Sequence, residues 1–587
     1  MPDTRGLNFY LADPGLQRLC EQIMDADTLA RARPHLVEMG ELAGGELDAL
    51  AAEADRHPPA LRTHDAGGRR VDEVVFHPAY RRMEAIAFGR FGLAAMSHRP
   101  GVLGWPTPVP QVVKYALSYL FAQAEFGLLC PVSLTDATAR MLRRHGDEAL
   151  RAAWLPGLTA TDLDALRQGT QWMTERTGGS DVGASTTVAR RGPDGRWRLW
   201  GDKWFCSNAG AAVALTLARP EGAPAGTRGL AMFLVPRRLP DGTLNAWTLN
   251  RLKDKLGSRS MATGEVSYAG AVAELVGDPA RGFRQMMEMV NVSRLSNAMR
   301  AAGLMRRALL ESLVHARARR AFGRPLAELP LMRANLLAML LDSEAAAVVV
   351  LEAAALLDRA DAGSAGDGRR LRIVTPLAKC WITAQARQVA GEAMNVRGGN
   401  GYVEEWVNAR LLRDSYLGAI WEGQTNVVAL DVQRAILRDG GLDALAGLLA
   451  ERLGAVTEPA ARPWVERVRR ALDEVRRRTE AWEGMAGDER ELEARPAADV
   501  LYHLLAATWL LDHGQRLLAR AGDAHWLLVA ALYLERWLGA GPPGAPPLGA
   551  AATRWLGALA DWQPVPRAAL PACPGASTAP PVSPGAG

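Results

Sequence analysis

Cysteine is scarce and scattered. The 587 residues hold five, Cys20, Cys130, Cys206, Cys380 and Cys573, with no close pair among them. An odd, dispersed set argues against a disulfide framework and against a zinc site, so no metal ligands are expected, and it fits the reducing cytoplasm. An excess of one charge is also missing. Lys and Arg number 69 against 64 acids, a formal +5, which is too small at this length to demand nucleic acid as a partner. The opening MPDTRGLNFYLAD lacks the basic-then-apolar layout of a secretion signal. No apolar run is read as bilayer-spanning; even AHWLLVAALYLERWL is too short before its charges intervene, so no membrane partner is expected.

What the chain does have is 48% hydrophobic and 23% charged residues. That describes a globular protein with material for two to four domains. From about residue 8 to 170 the apolar positions recur at helical spacing, as in VKYALSYLFAQAEFGLL, and RPGVLGWPTPVP reads as a loop. After Gln171 the texture changes. TTVARRGPDGRWRLWGDKWFCS alternates apolar and polar positions around a Pro-Asp-Gly turn, which predicts a hairpin, and strand-like segments continue to about residue 270. Helical periodicity returns near Phe283 and runs through a helix over 376–396 that RGGNG ends. Further helices are predicted near 441–454, 462–482, 496–520 and 523–538. The expected units are thus residues 1–170, helical; 171–282, β; 283–440, helical; and 441–563, an additional helical domain. The remainder, 564–587, is rich in Pro, Gly, Ala and Ser and is expected to be disordered. In class the chain is mostly α with an inserted β domain.

Four stretches could carry chemistry. QWMTERTGGSDVGAS places paired glycines before Ser and Asp, which suits close backbone approach to a phosphate or a planar ring and equally suits a plain turn. GDKWFCSN reads as a half-buried strand. RRAFGRPL ends a helix with Arg319, either a phosphate clamp or a solvated arginine. In RGGNGYVEEWVNARLLRDSYLGAIWEGQTN a tight turn leads by way of a helix to Glu422. Flanked by Ile420 and Trp421, that carboxylate is either a poorly solvated base or an ordinary charge at the rim of a turn.

TERTGGSD, KWFCSN, RRAFG, RGGNG and WEG occur in this order across a helical, β, helical chain. Together they resemble the acyl-CoA dehydrogenase family over roughly residues 80 to 440. More narrowly the chain is similar to its AidB-type branch, flavoproteins of the adaptive response to alkylation damage. TERTGGSDV in place of the commoner TEPGAGSD, RRVDEVVFHPAY, RLKDKLGSRS, IWEG and LDVQRAI carry that narrower likeness, with the helical segment beyond residue 440.

The resemblance implies a helical N-terminal domain, a middle β-barrel and a C-terminal four-helix bundle, with FAD as cofactor. It implies that Met173 and Thr174 touch the flavin edge and that Gly179 and Ser180 lie near the pyrophosphate or the substrate. Phe205 falls where the family usually has Trp, and Ser207 at its flavin-bonding Thr. Arg319, Phe322, Asn395 (where Gln is usual), Gly398 and Gly399 match residues that hold FAD from a neighbouring subunit, which implies a dimer or tetramer. Gln424 and Asn426 match further FAD contacts. Glu422 falls on the base that removes an α-proton from an acyl-CoA while hydride leaves the β-carbon. Arg294 matches a supporting arginine; some relatives carry the base just before it, but here that position is Ser293. Electrons would pass to an electron-transfer flavoprotein or another acceptor. Two departures stand out: Arg176-Thr177 for Pro-Gly, and Arg397 for an apolar residue, both expected to alter the acyl channel or the CoA entrance. The likeness also implies non-specific duplex DNA as a partner through Arg434 and Arg438, and helical spacing puts Arg467, Arg470 and Arg477 near one face, although interleaved acids make a solvated helix face the commoner outcome. The alternative function is thus a DNA-associated flavoprotein protecting against alkylation damage, with weak or vestigial dehydrogenase activity.

Overall fold

The computed structural model describes residues 2–539 and 548–570. Its N-terminal part is built from helices α1 (Pro14–Ile23), α2 (Ala26–Gly44), α3 (Glu46–Arg56), α4 (Pro78–Glu84), α5 (Gln111–Ala124), α6 (Leu129–His145) and α7 (Glu148–Leu158). Asp13, Asp25 and Asp147 cap α1, α2 and α7 by accepting backbone N–H bonds, which explains where these helices begin. The helical reading missed one feature here. Strands β1 (Ala60–His64) and β2 (Arg70–Val75) form an antiparallel hairpin. Its residues alternate in exposure instead of presenting a helical stripe.

The β region closes into a barrel. Strands β3 (Gly169–Trp172), β4 (Val188–Arg191), β5 (Trp197–Ser207), β6 (Val213–Pro220), β7 (Ala231–Pro236), β8 (Trp247–Leu252) and β9 (Thr263–Leu275) pair in the order β3-β6-β4-β5-β9-β7. A further β6–β7 pairing closes the ring from β6 to β7, with β3 alongside β6 and β8 on β9. The predicted hairpin is present: β4 and β5 run antiparallel from Arg191 opposite Trp197, around Gly195 at φ +75°. Closure leaves few free edges and encloses an apolar interior around Trp172, Leu199, Phe233 and Val266.

Behind the barrel stand three long helices, α8 (Gly282–Ala318), α9 (Pro330–Asp361) and α10 (Ala365–Arg397). The shorter α11 (Val407–Gly418) and α12 (Thr425–Asp439) complete the bundle. Gly398, at φ +67°, ends α10 as the GGNG turn predicts. Helix α10 starts earlier than expected and runs through Pro376; Ile373, Val374, Leu377 and Ala378 on both sides are buried. That packing outweighs the single backbone donor a proline removes. Contrary to the sequence reading, α9 is long and apolar enough to cross a membrane. Of its most apolar window, 83% is buried inside the protein, so its composition is that of a bundle's central helix.

Beyond residue 440 come α13 (Gly441–Gly454), α14 (Arg462–Glu480), α15 (Gly487–Ala521) and α16 (His525–Leu538). Helix α15 begins nine residues before the expected start and, like α10, passes through a proline, Pro496. These helices share one continuous apolar core with the bundle. Trp381 of α10 stacks on Tyr502 of α15 at 4.4 Å, with His503 and Trp537 edge-on. Of the tail expected to be disordered, 571–587 lies outside the described residues. The segment 564–570 is ordered against the helices: Val565 is buried, its carbonyl accepts from Ala524 N–H at 2.8 Å, and Arg567 pairs with Glu458 at 2.9 Å.

Candidate active site

Glu422 occupies the turn between α11 and α12 in a left-handed backbone conformation, φ +57°, followed by Gly423 at φ +93°. A glutamate pays steric energy for such a backbone and keeps it only where surroundings enforce it. Two cations do so here. Arg294 of α8 donates through Nε to the Glu422 carbonyl at 3.0 Å, and Lys379 of α10 donates to the Gly423 carbonyl. Arg294 is itself fixed by Asp431 at 2.6 Å, an acid it shares with Arg372. Burial would raise Asp431; the two guanidiniums outweigh it and hold the acid below the usual carboxylate range. Burial pulls the Lys379 ammonium down to about 8, opposed by the Glu422 carboxylate.

The Glu422 side chain is 14% exposed. Ser293 Oγ donates to its Oε1, while Oε2 is buried with no hydrogen-bond partner among the described residues. The position that sequence reasoning treated only as a missing rival base is therefore a direct partner of the carboxylate. The greasy flank is half correct: Trp421 is partly buried and stacks on Phe126 at 6.0 Å, but Ile420 is 60% exposed. Sequence reasoning also missed Arg300 and Lys379, both wholly buried beside this turn. The one available signal was a charge on the apolar face of a predicted helix.

The barrel motifs meet the same region. Trp172 Nε1 and Thr170 Oγ1 both donate to the Ser207 carbonyl, at 2.9 and 2.7 Å, and Trp204 N–H donates to the Thr174 carbonyl at 2.9 Å. The loop after β3 is thereby tied to the end of β5. Met173 and Trp421 lean on one apolar cluster that includes Cys130, Met261 and Met286. Burial pushes the Cys130 thiol up to about 11. Glu175 anchors the TERTGGSD loop from inside, accepting from Thr186, Thr187 and Lys203. Burial would raise Glu175, but Lys203 at 2.8 Å and these donors bring it down to about 2. In the sequence Glu175 is one acid within TERTGGSD, with nothing local to mark it as the loop's anchor.

Gly179 and Ser180 are exposed on that loop. A Cβ at Gly179 would meet Thr174 Oγ1 at 2.6 Å, so the close approach requires glycine. Phe205 stands 56% exposed, with Lys253 4.7 Å from its ring. Gln424 caps α12 by accepting from Asn426 N–H at 2.9 Å, and both are exposed. Arg319, Phe322, Asn395, Gly398 and Gly399 lie apart from this group. Arg319 caps the far end of α8, 25 residues beyond Arg294, or roughly 37 Å along a helix. All five are exposed, Phe322 by 92%. Arg397, expected near the acyl channel, is buried instead; it pairs with Glu311 and stacks on Trp406 at 4.4 Å. Arg176 lies 5.0 Å from the Trp204 ring.

The arginines expected at DNA are mostly matched within the fold. Arg434 faces Asp431 at 3.6 Å, Arg467 pairs with Glu535 at 2.8 Å, and Arg477 with Glu474. Arg438 and Arg470 are exposed and have no acidic partner among the described residues.

Three family models cover most of the chain: the adaptive response protein AidB N-terminal domain over residues 1–165, the acyl-CoA dehydrogenase middle domain over 170–271 and the acyl-CoA dehydrogenase C-terminal domain over 280–437. Putative acyl-CoA dehydrogenase AidB of Escherichia coli (strain K12) is 36% identical over 466 residues, 76% of this chain and 81% of that protein. The chain belongs to the acyl-CoA dehydrogenase family, in its AidB-type branch. Acyl-CoA dehydrogenase family member 11 of Caenorhabditis elegans is 33% identical over 437 residues, 73% of this chain and 70% of the relative. The solved structure of Caenorhabditis elegans ACDH-11 in complex with C11-CoA superposes with a TM-score of 0.84 at 29% identity, covering 91% and 92% of the two chains. Bd2924 in its apo-form superposes at 0.78 with 31% identity, covering 87% of this chain and 99% of that one. The family comprises FAD-dependent oxidoreductases acting on CH–CH donors.

The residues present fit that cofactor. An exposed aromatic, a hydroxyl-bearing strand end, a glycine whose Cβ position is closed and the amides of Gln424 and Asn426 make a donor set suited to a planar, hydrogen-bonding ring and its phosphates.

Proposed function

We propose that the protein dehydrogenates an acyl-CoA thioester between Cα and Cβ, with Glu422 as the base. The observation that carries this reading is the Glu422 carboxylate: sheltered, with Oε1 held by Ser293 and Oε2 buried and unpartnered. A general base needs a lone pair pointed at the substrate and little water competing for it. Oε2 takes the Cα proton, and the Cα–Cβ double bond forms as hydride leaves Cβ. Bound FAD supplies the acceptor for that hydride. Ser293 limits rotation of the carboxylate; Arg294 and Lys379 fix the backbone that carries it. Met173, Thr174, Gly179, Ser180, Phe205, Ser207, Gln424 and Asn426 would hold the cofactor. Arg319, Phe322, Asn395, Gly398 and Gly399 would hold the cofactor of a second copy, and their separation from Glu422 supports a homo-oligomer. The C11-CoA complex of ACDH-11 supports a thioester ligand here.

Anaerobic mixing of the oxidised protein with a panel of acyl-CoAs tests the reading. Flavin absorbance at about 450 nm should bleach rapidly, and Glu422→Gln should slow this about 10²–10⁴-fold. Equal bleaching in the variant, or none in the wild type with any thioester, would end it.

A second reading, association with duplex DNA, is favoured by the unmatched Arg438 and Arg470. It predicts DNA retardation that weakens steeply with salt and is lost on changing both arginines to Ala.

A further inference from the structure

Arg300 lies on α8, six residues beyond Arg294, and is wholly buried. Its guanidinium rests against two aromatic rings, 5.3 Å from Phe126 and 4.7 Å from Trp421. Among the described residues Nε reaches only the Ser296 carbonyl, at 3.4 Å, and neither Nη1 nor Nη2 has a hydrogen-bond acceptor. Glu422 Oε1 stands 3.8 Å from Nη2, outside hydrogen-bond reach. The buried Trp421 Nε1 is also without a partner among the described residues. Three donor ends thus remain unfilled beside the proposed base. Stacking on two rings explains where the guanidinium sits but fills none of its donors. A buried charge with open donors is costly unless an acceptor arrives.

We propose that Arg300 is the specificity-determining residue of the acyl site and that the acyl group carries a terminal carboxylate, bound by Nη1 and Nη2. This rests on the acyl-CoA reading above; the bonds broken and formed are unchanged, and only the group that meets Arg300 is new. A carboxylate suits the site better than a neutral acceptor for two reasons. The planar fork of a guanidinium matches its two oxygens. In addition, Glu422 becomes neutral when it takes the Cα proton and then no longer balances Arg300. A substrate carboxylate keeps the buried cation paired throughout. Because Arg300 is so near the base, the carboxylate lies only a few carbons from Cα, which selects short dicarboxylic acyl groups.

The test compares glutaryl-CoA with pentanoyl-CoA, equal in carbon count, by titration calorimetry on FAD-loaded Glu422→Gln protein, where turnover does not interfere. With Arg300 intact, glutaryl-CoA should bind about 10- to 100-fold more tightly. Adding Arg300→Gln should abolish the preference, and Arg300→Lys should retain part of it. Equal or weaker binding of glutaryl-CoA with Arg300 intact overturns the proposal, whether or not the Arg300 variants fold. If pentanoyl-CoA binds equally well and bleaches the wild type, only this inference falls. If neither thioester binds, this inference falls, while the acyl-CoA reading falls only if the wider panel above also fails to bleach the flavin.

Discussion

Ser293 Oγ donates a hydrogen bond to the carboxylate of Glu422, 129 residues later in the chain. One residue on, Arg294 holds the carbonyl of the same glutamate. A single turn of α8 therefore positions both the side chain and the backbone of the proposed base.

Removing the hydroxyl should leave the carboxylate in place but free to rotate. Ser293→Ala should slow flavin bleaching about tenfold, the worth of a hydrogen bond to a charged group, with little change in thioester affinity. Because Ser293 already touches the carboxylate, the double variant Ser293→Glu with Glu422→Gln should recover part of the activity that Glu422→Gln alone loses. Stopped-flow absorbance reads both.

Arg294→Met should act through structure. It removes the donor to the Glu422 carbonyl and the nearest of the three arginines that face the buried Asp431. Breaking such a buried pair costs about 3–5 kcal/mol. The expected result is flavin release at a lower temperature, followed by fluorescence, together with loss of bleaching.

The Glu175–Lys203 pair carries a pH signature. The folded value of Glu175, about 2, lies below its ordinary 4.5, so between these values the unfolded chain binds more protons than the fold. The pair's stabilisation is complete above about pH 4.5 and is lost as pH falls towards 2. Glu175→Gln strands the wholly buried Lys203 ammonium, and should cost about 3–5 kcal/mol near neutrality while flattening the acid limb of a pH–stability curve.

Gly179→Val tests the flavin loop. Its Cβ would collide with Thr174 Oγ1, so FAD affinity should drop at least about tenfold while the far-ultraviolet circular dichroism stays unchanged, since the loop is exposed. Retention of full FAD affinity would place the cofactor elsewhere.

Much of the architecture was legible in the sequence. The β4–β5 hairpin, the bounds of α13 and the glycine end of α10 are local matters, set by alternation, helical spacing and turn chemistry within a few residues. Local signals misled where distant packing overrode them. Pro376 and Pro496 read as helix starts, yet both lie inside helices whose buried flanks hold them, and the apolar length of α9 reflects neighbours on all sides.

The site divides in the same way. The family resemblance, carried by the order of contiguous motifs, singled out Glu422, the TERTGGSD loop and the strand ending at Ser207, whereas the residue types of each stretch alone suited a plain turn or strand equally well. Only the tertiary structure decided what surrounds the carboxylate. Ser293, Arg294 and Arg300 arrive from one helix and Lys379 from another. In the sequence these are ordinary polar residues on helices. Their contacts, and the low-dielectric burial that makes a serine hydroxyl or an unfilled guanidinium matter, exist only once α8, α10 and the α11–α12 turn are brought together.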